Sequence, residues 1–453
     1  MKTGALSAAL AALTALAAGG VSAQEHGLPD IPVDTFRLEN GLLVIVSETH
    51  SSPVAAVSVW YRVGNSPEEP EANALAHLIE HLALQESENL TAGQAELLIT
   101  RAGGLQVAGT DADRTGFLQV VPSNRVNLAL WIEAERMHRL VISDGGLRSQ
   151  MARLTSERDG DLLGRPYARA RFAADTLATD FVPYKHSAGL AGAVPTDTDG
   201  DRLRRFYERY FAPDNAVLAV AGDVDPVQIR SLVEDMFGGI RRGPGVFEPA
   251  GFPEAPRRDG ERRGQVSEEF STHAFLSVVF TTPGAAHDDQ YALALLVRIL
   301  GAGRGSRLQQ ALIHERSLAR TLTATLNRRR GPGTVAIDVV AAEGVSLDVL
   351  EAQILAEVAR LVAEPVTDQE LRAALNQWKA AEITSRLSAR SRVEALQRHL
   401  LYFGDPYRIN GEVTRYDAVT AGEVQRVAAK YLTAENRAVV LSPSRTGARG
   451  ARE

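Results

Sequence analysis

The chain has 453 residues, too many for one compact core, so two or more domains are expected. Apolar residues make up 45% and charged residues 23%, with a formal charge of -7 and both signs mixed along the chain, which describes a globular protein with no basic stripe for nucleic acid. There is no cysteine, so disulfides, thiolate nucleophiles and thiolate metal sites are excluded, and any zinc must be held by His, Asp or Glu.

The N-terminus, MKTGALSAALAALTALAAGGVSAQ, has one early lysine, an Ala/Leu-rich stretch broken at Gly19-Gly20, and a small-residue pattern at Val21-Ser22-Ala23. It reads as a secretory signal peptide over 1–23, cut after Ala23, rather than as a membrane span or an Arg-rich transit peptide. The expected location is periplasmic or secreted. No membrane span is expected in the rest of the chain.

The mature chain opens with TFRLENGLLVIVSE (35–48), whose Asn40-Gly41 signals a hairpin between two apolar runs. A strand, PVAAVSVWYRVG (53–64), leads through an acidic stretch into AHLIEHLALQESE (76–88). Residues 104–121 alternate like a second hairpin, and helical patterns follow at 127–140, 147–163 and 166–178. The first half closes with a strand within 210–225 and a helix to about Phe237. Residues 241–263 are rich in Pro, Gly and charge and carry no periodicity, which marks a linker.

Beyond the linker the pattern returns. HAFLSVVFTTPG (273–284) echoes PVAAVSVWYRVG, and YLTAENRAVVLSPS (431–444) echoes YFAPDNAVLAVAGD (210–223). Both pairs share one offset, the mark of a duplicated domain. The expected fold class is α+β: two homologous domains, each an antiparallel-rich sheet flanked by helices, joined by a linker in a clamshell arrangement. The expected boundaries are 24–240 and 264–446, with a tail at 447–453. Long helices are expected at about 346–363 and 368–402, the latter opened by the capping box Thr367-x-x-Glu370. The glycines of GAGRGSRL (301–308) lack the Gly-Lys-Ser/Thr ending of a phosphate-binding loop and read as a turn.

His77-Leu-Ile-Glu80-His81 carries the chemistry. Residues four apart on a helix lie on one face, so His77 and His81 can direct imidazole nitrogens at one metal ion. Glu80 lies beside them, where a carboxylate could take a proton from an activated water. Two solvated histidines would not need the intervening glutamate, nor the Leu78, Ile79 and Leu82 that bury the helix. Catalytic zinc takes three protein ligands, and the third must be a distant His, Asp or Glu. Glu157 is one candidate among many.

These residues resemble the pitrilysin/insulinase family of inverted-motif zinc peptidases, in the branch with two domains per subunit that includes mitochondrial processing peptidase and its bacterial relatives. The similarity runs from LENGLLVIV to YLTAENRAVV and is strongest in the first half. In the family the third zinc ligand is a glutamate about 76 residues past the second histidine, a position that Glu157 fills. The resemblance therefore implies one zinc per chain on His77, His81 and Glu157, with Glu80 as general base. It implies hydrolysis of short or unfolded peptides in a closed chamber.

Three departures stand out. Gln150 occupies a position, seven residues before Glu157, where the family commonly has a second glutamate beside the metal site. Val107 and Ala108 replace an Asn-Ala pair on the edge strand that receives the substrate. In LIHERSLAR (312–320), Ile313 and Arg320 replace an arginine and a tyrosine that hold substrate near the cleaved bond. The last departure points to a heterodimer with a homologous subunit that supplies the Arg/Tyr pair, the alternative being a homodimer that tolerates the loss. The competing reading is a non-catalytic structural or assembly subunit of the same fold, whose usual mark is an eroded zinc motif.

Overall fold

The computed structural model describes residues 28–65, 74–187, 199–245, 252, 260–268 and 271–444. The leader and tail read from the sequence lie outside these residues, as does most of the linker. Residues 31 onward form one compact unit built around two sheets.

The first sheet contains β1 (Asp34–Arg37), β2 (Leu43–Glu48), β3 (Val54–Tyr61), β4 (Leu105–Thr110), β5 (Thr115–Pro122) and β6 (Ala216–Gly222), in the order β1-β2-β6-β3-β5-β4. The second contains β7 (Arg262–Gln265), β8 (Phe275–Thr282), β9 (Ala319–Asn327), β10 (Gly333–Ala341) and β11 (Arg437–Ser442), in the order β7-β11-β8-β10-β9. Without β1 the two orders are the same. In each, one pair is parallel (β2 with β6, β7 with β11) and the other neighbours are antiparallel. β3 and β8 are separated in sequence by the same offset as β6 and β11, so the repeat seen in the sequence is a repeat of topology. β7 begins at Arg262, inside the stretch read as linker.

The strands VAAVSVWY and FLSVVFTT are almost wholly buried because both of their faces are covered. On one face of the first sheet, Val57, Val59 and Tyr61 pack with Leu75, Leu78 and Ile79 of the helix Leu75–Ala83 and with the helices Val126–His138 and Pro226–Phe237. The other face is covered by the helix Ala389–Phe403, which belongs to the second half. Its Ala389, Val393 and Leu396 meet Ile45, Ala56, Val217 and Ala219. Reciprocally, the helix Ala168–Ala178 of the first half lays Ala170, Ala174 and Ala178 against Phe275, Val279, Ala438 and Val440 of the second sheet. Each half lends one helix to the other. Alanines four apart let the helix backbone approach the sheet closely.

This exchange explains one departure from the expected elements. The helix read over 368–402 is two helices, Asp368–Leu387 and Ala389–Phe403. Ser388 between them is extended (φ -101°, ψ 145°), and its hydroxyl accepts from Ser391 N at 3.0 Å, capping the second helix. Helical propensity runs through the break, whereas packing turns the chain toward the first sheet. The capping box at Thr367 and Glu370 is present.

The turns of the two edge hairpins meet. Asp113, between β4 and β5, accepts from Tyr184 Oη at 2.6 Å and from Arg330 N, between β9 and β10, at 2.8 Å. Asn40 does more than shape the first hairpin: its amide donates to Phe237 O and Ile240 O, tying β1–β2 to the end of the helix 226–237.

Candidate metal centre

The sequence LAHLIEHLA folds as a helix in which every residue is buried. Leu75, Leu78, Ile79 and Leu82, spaced i, i+3, i+4, i+7, are at most 2% exposed and face the first core. Each such burial stabilises by roughly 1.5–3 kcal/mol, enough to anchor a short helix that carries ionisable groups on its other side. Those groups are His77, Glu80 and His81, exposed by 8%, 6% and 8%.

They face the helix Asp144–Gly164, capped by Ser143, whose hydroxyl accepts from Gly146 N at 3.1 Å. That helix presents Leu147, Gln150, Leu154 and Glu157 at alternating steps of three and four residues, a heptad-like seam. The seam brings Glu157 across from a motif 76 residues earlier in sequence. His81 Nε2 lies 3.2 Å from Glu157 Oε2. The ligand atoms of His77, His81 and Glu157 all lie within 4.8 Å of one another, and this is the one such group of three among the described residues. The imidazoles stand edge to face with centroids 4.8 Å apart.

The donor set fits zinc. A tetrahedral ion with bonds of about 2.1 Å holds its ligand atoms roughly 3.4 Å apart, close to the His81–Glu157 separation. Burial, with the neighbouring charge of His81 acting in the same direction, lowers the pKa of His77 to about 4. Burial also lowers that of His81, against the opposing charge of Glu157. Both rings are therefore neutral at neutral pH, with a lone pair available to a metal. Gln150 is buried beside His81, and its Oε1 has no hydrogen-bond partner.

Burial first, and the charge of Glu157 with it, push the Glu80 carboxyl up, to a net value of about 7. A hydrogen bond from Thr110 and the charge of Arg114 act in the opposite direction. Thr110 Oγ1 donates to Glu80 Oε2 at 2.6 Å. Thr115 Oγ1, which lies 3.2 Å from Thr110 Oγ1, donates in turn to Val63 O. Sequence reasoning missed Thr110. The only available signal was its position on β4, two residues beyond Ala108 and so on the same face.

β4 is the edge strand of the first sheet and packs beside the motif helix. Val107 and Ala108 both lie on it, on opposite faces. Ala108 packs against the first core, while Val107 is 38% exposed. Their main-chain groups likewise alternate, so only one of the two turns its N–H and C=O to the strand's outer edge. In the second half, Ile313 lies in a π-helical turn (Gln310–Glu315), half-buried against the second core, and Arg320 is exposed on the edge strand β9.

A family model described as insulinase (peptidase family M16) matches residues 43–158, and one described as peptidase M16 inactive domain matches residues 198–378. The two matches together span well over half of the sequence. The chain belongs to peptidase family M16. The first M16 match contains the whole cluster of His77, Glu80, His81 and Glu157, and the second falls on the part of the chain that lacks it. A zinc protease PqqE of Helicobacter pylori is 25% identical over 415 residues, covering 90% of this chain and 93% of that protein. A probable mitochondrial-processing peptidase subunit beta of Arabidopsis thaliana is 26% identical over 423 residues, covering 89% of this chain and 76% of that one. A protease from Helicobacter pylori of known crystal structure shares the fold, with a TM-score of 0.85 at 22% identity over 91% of this chain and 99% of that chain. Among the described residues, no helix is long and apolar enough to cross a membrane.

Proposed function

We propose that this M16 chain is an exported zinc metalloendopeptidase that hydrolyses short or unfolded peptides. The observation that carries the reading is the convergence of His77, His81 and Glu157 from two helices, with Glu80 buried beside them. Zinc held there would lower the pKa of a water and polarise a peptide carbonyl. Glu80 takes a proton at Oε1 while Thr110 holds Oε2, and its raised pKa suits a base that must take up and return a proton near neutral pH. The outer edge of β4 offers main-chain donors and acceptors to an extended peptide, with Val107 and Ala108 at the point of contact. Gln150 supports His81 without adding a charge. The single cluster among the described residues supports one zinc per chain.

Ile313 and Arg320 favour a further element of this reading. Ile313 stands in place of the arginine and Arg320 in place of the tyrosine of the resembling family, so the chain is read as the zinc-bearing subunit of a heterodimer with a homologous chain. The relative named as a subunit beta is consistent with this. Export rests on the leader read over residues 1–23.

The test is hydrolysis of an unstructured quenched peptide by the zinc-loaded mature chain, alone and with any homologous chain that co-purifies from the native source. Turnover that disappears in Glu80→Gln with zinc retained supports the reading. Turnover unchanged by Glu80→Gln, or none in either preparation, contradicts it and favours the non-catalytic assembly role.

A further inference from the structure

A cavity of about 430 Å³ lies between the two halves, beside the metal centre. One wall is the end of the helix 144–164 and the helix 168–178. The other is the face of β8, β10 and β9. Asp161, on its rim, stands one helical turn past Glu157, roughly 6 Å along the axis. An extended peptide advances about 3.4 Å per residue. A side chain about two to four residues from the bond nearest the metal centre would therefore reach this cavity.

The lining mixes polar and apolar side chains, and its charges are paired. Arg165 Nη2 is 2.9 Å from Asp161, Arg171 Nε donates to Asp338 at 2.7 Å, and Arg329 Nη2 donates to Asp175 at 2.6 Å. The carboxylate of Asp338 is engaged at both oxygens, since Ser277 Oγ donates to the other at 2.7 Å. The guanidinium groups are not used up, because each has five donors and no acceptor. Arg171 uses Nε and Nη1, the latter on Pro166 O. Arg329 is held against the ring of Tyr184 at 5.1 Å. Its Nη1 is buried with no partner, the one side-chain polar atom in that condition among the residues lining the cavity. Arg171 is exposed and its Nη2 makes no bond among the described residues, and a carboxylate meets a guanidinium through two parallel bonds.

We propose that this cavity is a specificity subsite for a carboxylate of the bound peptide, recognised by Arg329 and Arg171. The inference rests on the peptidase reading above. It assigns these arginines a role in choosing the peptide and none in the bond-breaking step. The carboxylate comes from an internal Asp or Glu side chain or from the peptide's C-terminus, and the test separates the two.

The experiment measures equilibrium binding of labelled, unstructured peptides to the zinc-loaded Glu80→Gln chain. A single Glu, Gln or Lys is scanned across each peptide with an amidated C-terminus, and a further peptide set ends in a free carboxylate at successive positions. The Glu peptide is expected to bind about tenfold more tightly than its Gln counterpart at one position, with Lys weaker than Gln there. A gain confined to the free-terminus set would assign the site to the C-terminal carboxylate. Arg171→Gln, and separately the pair Arg329→Gln with Asp175→Asn, which leaves no lone buried charge, should reduce the advantage below about twofold. The Gln peptide should bind these variants as it binds the parent. Equal binding of all peptides, or an advantage that survives both variants, overturns the subsite and leaves the peptidase reading intact. Failure to bind any peptide, with no hydrolysis by the unsubstituted chain, overturns both.

Discussion

The two halves share one sheet topology and differ in what fills the space beneath the first long helix after the central strand. In the first half the helix 75–83 turns His77, Glu80 and His81 toward Glu157. In the second, Leu296 and Leu300 of the helix 289–301 repeat the core-facing Leu75 and Ile79, but Arg298, Gly301 and Ala302 stand where His77, Glu80 and His81 stand. At the offset that relates β3 to β8, Trp378 stands where Glu157 stands, and it stacks on Tyr416 at 3.8 Å. The same frame therefore tolerates an aromatic filling. A cluster of buried ionisable groups is the more expensive choice, and proteins retain such groups where chemistry needs them.

The sharpest way to break the comparison is to give the first half an apolar filling in place of its metal ligands. His77→Leu with Glu157→Leu should abolish zinc binding and all turnover, while the metal-free thermal midpoint stays level or rises. Metal analysis and calorimetry read both outcomes. A collapse of the metal-free midpoint would show that the cluster is structural.

A smaller effect comes from Glu80 in the metal-free protein. Its folded pKa is raised to about 7, above an ordinary value of 4.5, so ionisation penalises the folded state. That penalty is nearly absent below about pH 4, where both states hold the proton, grows as the pH rises from there to about 7, and is fully present at pH 8. Glu80→Gln should therefore stabilise the metal-free protein at pH 8 by about 1–3 kcal/mol and by little at pH 4. Urea unfolding at the two pH values measures the difference.

Thr110→Val removes the hydroxyl that fixes Glu80. It should lower kcat about tenfold with KM and zinc content unchanged, whereas Thr110→Ser should retain most activity. The smallest effect is expected in the second half, at the break between its two long helices. Ser388→Ala should cost about 1 kcal/mol of stability through the lost cap, with no change in zinc content.

What could be read from the sequence divides by range. The motif helix, the Asn40-Gly41 hairpin and the duplicated strands are written in local periodicity. Glu157 is not: its partner lies 76 residues away, and only the resemblance to a family singled it out. The seam of Leu147, Gln150, Leu154 and Glu157 was present, but a heptad does not say which helix it faces. The exchange of helices between halves was hidden for the same reason. Ala170, Ala174 and Ala178 advertise a close-packed face without naming the sheet beneath it. The break at Ser388 escaped because capping competes there with good helical propensity on both sides.

The account stands or falls on where the metal sits. A crystal of the zinc-loaded chain, with anomalous differences collected at the zinc absorption edge, should show one peak bonded to His77, His81 and Glu157, with Glu80 near it and not ligating. No peak among these residues, or one bound elsewhere on the chain, would contradict it.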